Sequence, residues 1–197
     1  MIEDFFLDLD RIWKPQQTKI LSLYTIGSTA LFLQGPYIRG TKDTDVLKLE
    51  TFSADEIENL HKLAGKGSRL AKRHLFYLDL VNRNIPFFPR NPVFHPVDTL
   101  NQQLTHFSVF ALDIIDVVVT KLKPFRAQDV DDIRALIKSD LVNPKHLVER
   151  FQSAVDHWWG DARAEDFHLY IQNLHTIQRD FLNVEETEII LPRWLND

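Results

Sequence analysis

Apolar positions along the 197-residue chain change their spacing once, near residue 112. Before that point short β-favouring runs alternate with helix-spaced stretches; after it, helix follows helix. Residues 3–13 set Phe5, Leu7, Leu9, Ile12 and Trp13 around acidic steps, which predicts an amphipathic helix ended by Pro15 and the polar residues behind it. Residues 19–26 read as a strand running into Gly27, and 29–34 as a short helix stopped by Gly35-Pro36. A second strand is expected over 43–49. Ser53 and Glu56 then form a capping box for a helix directed towards Gly65. Residues 74–81 are the next strand candidate. The four prolines at 86, 89, 92 and 96 leave room only for short edge strands before a strand at 107–112. Helices are predicted over 113–122, over 126–138, from Asn143-Pro144 onward, and over 164–182 with Leu169, Leu174, Ile177 and Phe181 inward. The pattern gives an α+β chain with an α/β core over 1–112 and a helical region over 113–197 packed on that core.

Composition narrows the class. Only six glycines occur, yet Gly27, Gly35 and Gly40 share one 14-residue window, where backbone must turn tightly or approach something closely. The absence of cysteine excludes disulfide frameworks, thiolate zinc sites and a cysteine nucleophile. Net charge is −5, but residues 62–73 carry Lys62, Lys66, Arg69, Lys72 and Arg73 with no acid. That cluster reads as a charged surface or as a seat for a polyanion such as tRNA or a nucleotide tail. The acidic N-terminus lacks the basic start of a secretory signal, and no apolar run reaches the ~20 residues of a membrane span. A soluble, cytoplasmic protein without a membrane partner is expected.

The chemistry-bearing stretch is Ile26-Gly27-Ser28 followed by Asp43-Thr44-Asp45. A strand that ends in Gly-Ser at a helix start offers backbone N–H groups and a positive dipole end, both suited to phosphate. Asp43 and Asp45, two apart on a strand, send their carboxylates to one face, where their repulsion favours a cation such as Mg²⁺. Two metals at such a site clamp the attacking and leaving oxygens of a phosphoryl-type displacement.

Hydrophobic-Gly-Ser, a spacer, then Asp-x-Asp-hydrophobic resembles the pattern of the polymerase-beta-like nucleotidyltransferase superfamily. The run IGSTALFLQGPYIRGTKDTDVL is similar to its small bacterial members, the minimal nucleotidyltransferases and AbiEii-type toxin components. Those share an Arg-x-Thr-x-Asp-x-Asp run, matched here by Arg39, Thr41, Asp43 and Asp45. TKLKPFRAQDVDDIRAL, 120–136, is similar to a stretch that follows the core in the same proteins. The resemblance implies a mixed sheet flanked by helices, with a helical bundle after it. It implies Mg²⁺ (or Mn²⁺) on Asp43, Asp45 and a third acid on a later strand, for which Asp79 is the candidate. An acid inside the apolar run LFYLDLV is costly unless paired or metal-bound, and in the family it accepts the proton of the attacking hydroxyl. Gly27 and Ser28 would cradle the triphosphate, with Arg39, Thr41 and Lys121 assisting; Arg126, Asp129 and Asp132 are expected to tie two helices together. The implied reaction moves a nucleoside monophosphate from NTP to a hydroxyl on tRNA, a protein or a small molecule. A toxin–antitoxin setting would add an antitoxin-like protein partner. The alternative is a non-catalytic module of the same fold that binds nucleotide or a partner protein.

Rival motifs fail on the residues. In haloacid-dehalogenase-type phosphatases the acid pair ends an apolar strand, whereas here it begins one. A P-loop ending in Gly65-Lys66 needs Gly at 60 and Ser or Thr at 67, where Leu60 and Gly67 stand. The eight histidines lack zinc-ligand spacing, and His157 and His168 are expected on helix surfaces. Of the tandem Trp158 and Trp159, one ring is expected inward and one partly exposed.

Overall fold

The acid-stepped N-terminal stretch forms α1 (Ile2–Ile12), which buries Phe5, Phe6 and Leu9. The computed structural model describes residues 2–14, 19–35 and 43–191, without the side chains of residues 162 and 163. Residues 1–85 with 94–112 make one compact unit, and residues 86–93 with 113–197 make another.

The first unit is a five-stranded mixed sheet with helices. Its strands are β1 (Leu21–Thr25), β2 (Asp43–Lys48), β3 (Tyr77–Asn82), β4 (Phe94–Pro96) and β5 (Phe107–Leu112), in the order β3-β2-β1-β5-β4. β1 pairs antiparallel with β2 and parallel with β5; β2 pairs parallel with β3, and β4 antiparallel with β5. Strand alternation gives the sheet two unlike faces. Leu21, Leu23, Thr25, Val46, Leu78 and Val109 are buried on one, where the Trp13 ring lies 5.1 Å from Phe107. The other face carries Tyr24, stacked on Phe110 at 4.9 Å, together with Asp43 and Asp45.

Between the strands lie α2 (Gly27–Gln34), α3 (Ala54–Ala64), α4 (Arg69–His74) and the single turn α5 (Asp98–Asn101). The Ser53/Glu56 capping box forms as the sequence predicts, with Glu56 N–H donating to Ser53 Oγ and Ser53 N–H to Glu56 Oε2. The strand expected over 74–81 starts at Tyr77 instead. Ser68 caps α4, and Leu75, at φ 56°, ends it. Asp10, on the buried side of α1, accepts hydrogen bonds from the N–H groups of Thr105 and His106, the latter at 2.7 Å.

The second unit is helical: α6 (Ile114–Lys121), α7 (Ala127–Lys138), α8 (Pro144–Trp158) and α9 (Phe167–Ile177). The expected helix over 164–182 is narrower, with a 3₁₀ turn before α9 and a wider π-type turn, Gln178–Leu182, after it. Phe167, Tyr170, Leu174 and Ile177 form the inward stripe of α9, which leaves Leu169 52% exposed, against the expectation that it is buried. Phe181 is half-exposed, with the Arg134 guanidinium 4.9 Å from its ring. His157 and His168 are exposed, and Trp159 is 50% exposed while Trp158 donates from Nε1 to the Phe88 carbonyl.

Specific bonds tie the proline-rich segment 86–93 to the helices. The Phe87 ring meets Phe151, Phe167 and Tyr170 at 5.2–5.8 Å. Asp116, wholly buried, receives Arg150 Nε at 2.6 Å and Nη2 at 2.7 Å, and Val93 N–H at 2.8 Å. Removing one member of a buried pair leaves an uncompensated charge, so Asp116→Ala should lower unfolding free energy by about 3–5 kcal/mol in urea titration. The exposed Asp131–Arg134 pair provides the contrast; Asp131→Ala should change stability by about 0.5 kcal/mol or less.

Candidate active site

The turn out of β1 sets the geometry. Ile26 N–H donates to the Asp45 carbonyl at 2.9 Å, which laces the end of β1 to β2. Gly27 then turns at φ +59°, and a Cβ there would meet Asp45 Oδ2 at 3.3 Å. Glycine suits the position twice, for the left-handed backbone and for the close approach of the carboxylate. The turn opens α2, whose N-cap residue, Ile26, supplies no side-chain cap. The positive end of α2 thus lies beside Asp45, with the half-buried Ser28 in its first turn. Thr29 Oγ1 donates to the Asp43 carbonyl at 3.2 Å, a second tie between α2 and the acid-bearing strand.

Asp43 and Asp45 are half-buried on one face of β2, and Thr44 and Val46 are fully buried on the other. The parallel register matches Asp43 to Tyr77 and Asp45 to Asp79. In-register neighbours on parallel strands send their side chains to the same side, so all three acids and the Tyr77 phenol share one face. The Tyr77 pKa is raised above the usual phenol value, first by burial, then by the fields of Asp43, Asp79 and Asp45. Lys66 Nζ, from the turn between α3 and α4, is 6.0 Å from the centre of the Tyr77 ring.

The physical case made for Asp79 from sequence needs correction. β3 is an edge strand and Asp79 is exposed on it, so desolvation demands no partner there. Among the described residues no three His, Cys, Asp or Glu side chains are grouped to hold one metal ion. Mg²⁺ commonly takes one or two carboxylates together with substrate phosphates and water. Asp43 and Asp45, on one face of β2, supply a donor pair of that kind.

Lys121 is the last residue of α6. It is 7% exposed within the helical unit, its Nζ donating to Asp129 Oδ1 at 3.0 Å and Asp132 Oδ2 at 2.7 Å. It is the centre of the network expected of Arg126, Asp129 and Asp132, which Arg126 joins through its backbone N–H. Arg39, Gly40 and Thr41 lie outside the described residues. Tyr77 was missed at the sequence level, although it stands two before Asp79 as Asp43 does before Asp45.

A family model described as a nucleotidyltransferase of unknown function, DUF6036, matches residues 6–179. No curated protein and no solved structure matches the chain. Among the described residues no helix is long and apolar enough to cross a membrane.

Two measurements check this geometry. Gly27→Ala should cost about 1–2 kcal/mol in denaturant unfolding, the strain of a left-handed non-glycine residue. Gly35→Ala, where a Cβ meets nothing within 4 Å, should leave stability nearly unchanged. In a pH titration of tyrosinate absorbance, with Tyr77→Phe identifying the signal, Asp43→Asn should bring the Tyr77 pKa down towards its normal value. A folded-state pKa raised in a phenol means stability lost as pH climbs past the unfolded value near 10, and Asp43→Asn should lessen that loss.

Proposed function

Because the chain belongs to the DUF6036 nucleotidyltransferases, we propose that it transfers a nucleoside monophosphate from an NTP to a hydroxyl acceptor at the Asp43/Asp45 face. The observation that supports this most is the register that puts Asp43, Asp45 and Asp79 on one face beside the Gly27 turn. Mg²⁺ held by Asp43 and Asp45 would neutralise the triphosphate and polarise its α-phosphorus. The N–H groups opening α2 and the Ser28 hydroxyl bind phosphate oxygens. The acceptor oxygen attacks the α-phosphorus and gives its proton to the Asp79 carboxylate. The bond from the α-phosphorus to its bridging oxygen breaks, and pyrophosphate leaves with that electron pair. Asp79, exposed and opposite Asp45, can take the proton from solvent-delivered substrate and release it to water. Lys121, engaged by two carboxylates, has no part in this reading. The resemblance to AbiEii-type components adds a biological setting, a toxin restrained by an antitoxin-like protein.

The test is label transfer from α-³²P-labelled NTPs with Mg²⁺, followed both as pyrophosphate release and as labelled acceptor in total bacterial RNA and protein. Asp43→Asn and Asp45→Asn should each reduce transfer by about 100-fold or more, the loss typical of a missing electrostatic stabiliser. Asp79→Asn should cost about 100-fold or more as a lost general base. Nucleotide binding without pyrophosphate release on any acceptor would replace this reading with that of a binding module.

A further inference from the structure

We propose that the groove between α1, α3 and α4 holds the phosphodiester backbone of a nucleic-acid strand. The groove has a volume of about 800 Å³, and its lining includes Arg11, Lys62, Arg69 and Arg73. Among the described lining residues the acid is Asp8, and its charge is already answered. Asp8 Oδ1 takes Arg11 Nη1 at 2.9 Å, and Oδ2 takes Arg73 Nη1 at 3.1 Å and His74 Nε2 at 3.0 Å. The bond to His74 is the main reason that the Asp8 carboxyl titrates below its usual range. Asp8 therefore positions two guanidiniums at the rim and offsets one of the four lining positive charges, which leaves the groove net positive. The Arg11 and Arg73 side chains remain 73% and 71% exposed, open to a ligand.

The sign of the groove runs against that of the chain. Net charge is −5, and residues 62–73 alone contribute five cations and no acid. Charge separated in this way costs self-repulsion within the cluster, which a polyanion relieves. A nucleic-acid strand carries one phosphate per nucleotide, so cations at several points of one groove each find a partner, and guanidiniums match phosphate with paired donors. The charge continues in one direction. Lys66, four residues after Lys62, brings its ammonium to the Tyr77 ring on the face of the three acids. A strand held in the groove has a cationic lead towards that face, and its terminal hydroxyl is the acceptor; this last role rests on the transfer reading above, the binding itself does not.

The experiment is fluorescence anisotropy on the full chain with fluorescein-labelled 12-nucleotide oligo-U and oligo-dT. Saturable binding is expected at 50 mM salt. For three to four phosphate contacts, affinity should fall about 10–20-fold between 50 and 150 mM salt. The double variant Lys62→Ala/Arg69→Ala changes exposed positions and should keep the thermal midpoint. It should lose about tenfold or more in affinity and show a flatter salt slope. Arg83→Ala, outside the groove, and Asp43→Asn should bind as the parent does. Preference for oligo-U over oligo-dT identifies RNA as the strand, and equal affinity identifies phosphodiester recognition without a 2′-hydroxyl. No saturable binding at 50 mM salt, unchanged affinity in the double variant, or displacement of both strands by poly-glutamate at equal charge would overturn the proposal. Binding without nucleotidyl transfer would overturn the transfer reading and leave the groove standing.

Discussion

Like charges crowded on one sheet face are the constraint around which the first unit is built. Two unit charges about 5 Å apart, the spacing of neighbouring strands, repel by about 1–3 kcal/mol between water-like and near-surface dielectric. The register that pairs Asp45 with Asp79 imposes such a contact, and Asp43 stands two residues along the same face. Compensation comes from the opposite face and from the turn. Leu23, Val46, Leu78 and Val109 bury the other side of the same strands, and the Ile26–Asp45 backbone bond fixes the turn against β2. The open end of α2 then places positive dipole against the acid pair.

The helical unit treats charge in the opposite way. Lys121 is answered by Asp129 and Asp132, and Asp116 by both nitrogens of Arg150 and a backbone N–H. Opposite signs at hydrogen-bond distance remove the penalty of burial and leave nothing for a substrate to gain. The sheet face sets acid beside acid. That difference does not follow burial, since Asp79 is exposed and Asp116 is not.

What the sequence made legible was local. The Ser53/Glu56 box, the Asn143-Pro144 start and the strands carrying Asp43 and Asp79 follow from short-range chemistry, and so does the need for glycine at 27. What it hid depends on pairing across the chain. LFYLDLV reads as a buried strand because six apolar or aromatic residues surround Asp79, but strand order puts it at the sheet edge, where one flank is open. Lys121 reads as a phosphate ligand because its helix follows the core; only the approach of α7 shows its charge to be taken. The segment 86–93 reads as sheet edge, yet its aromatic and backbone groups are used by α6, α8 and α9. Leu169 reads as core because apolar residues are dense near it, while the stripe through Phe167, Tyr170 and Leu174 turns it outward.

The two signs of charge in the first unit bear on each other. An acidic chain repels a polyanion at long range, but beyond about 8 Å in physiological salt that repulsion is largely screened. Inside that range the local sign of the surface decides what a polyanion meets. Lys66 marks where the sign changes, with its ammonium over Tyr77 and the phenol in the field of Asp43, Asp45 and Asp79.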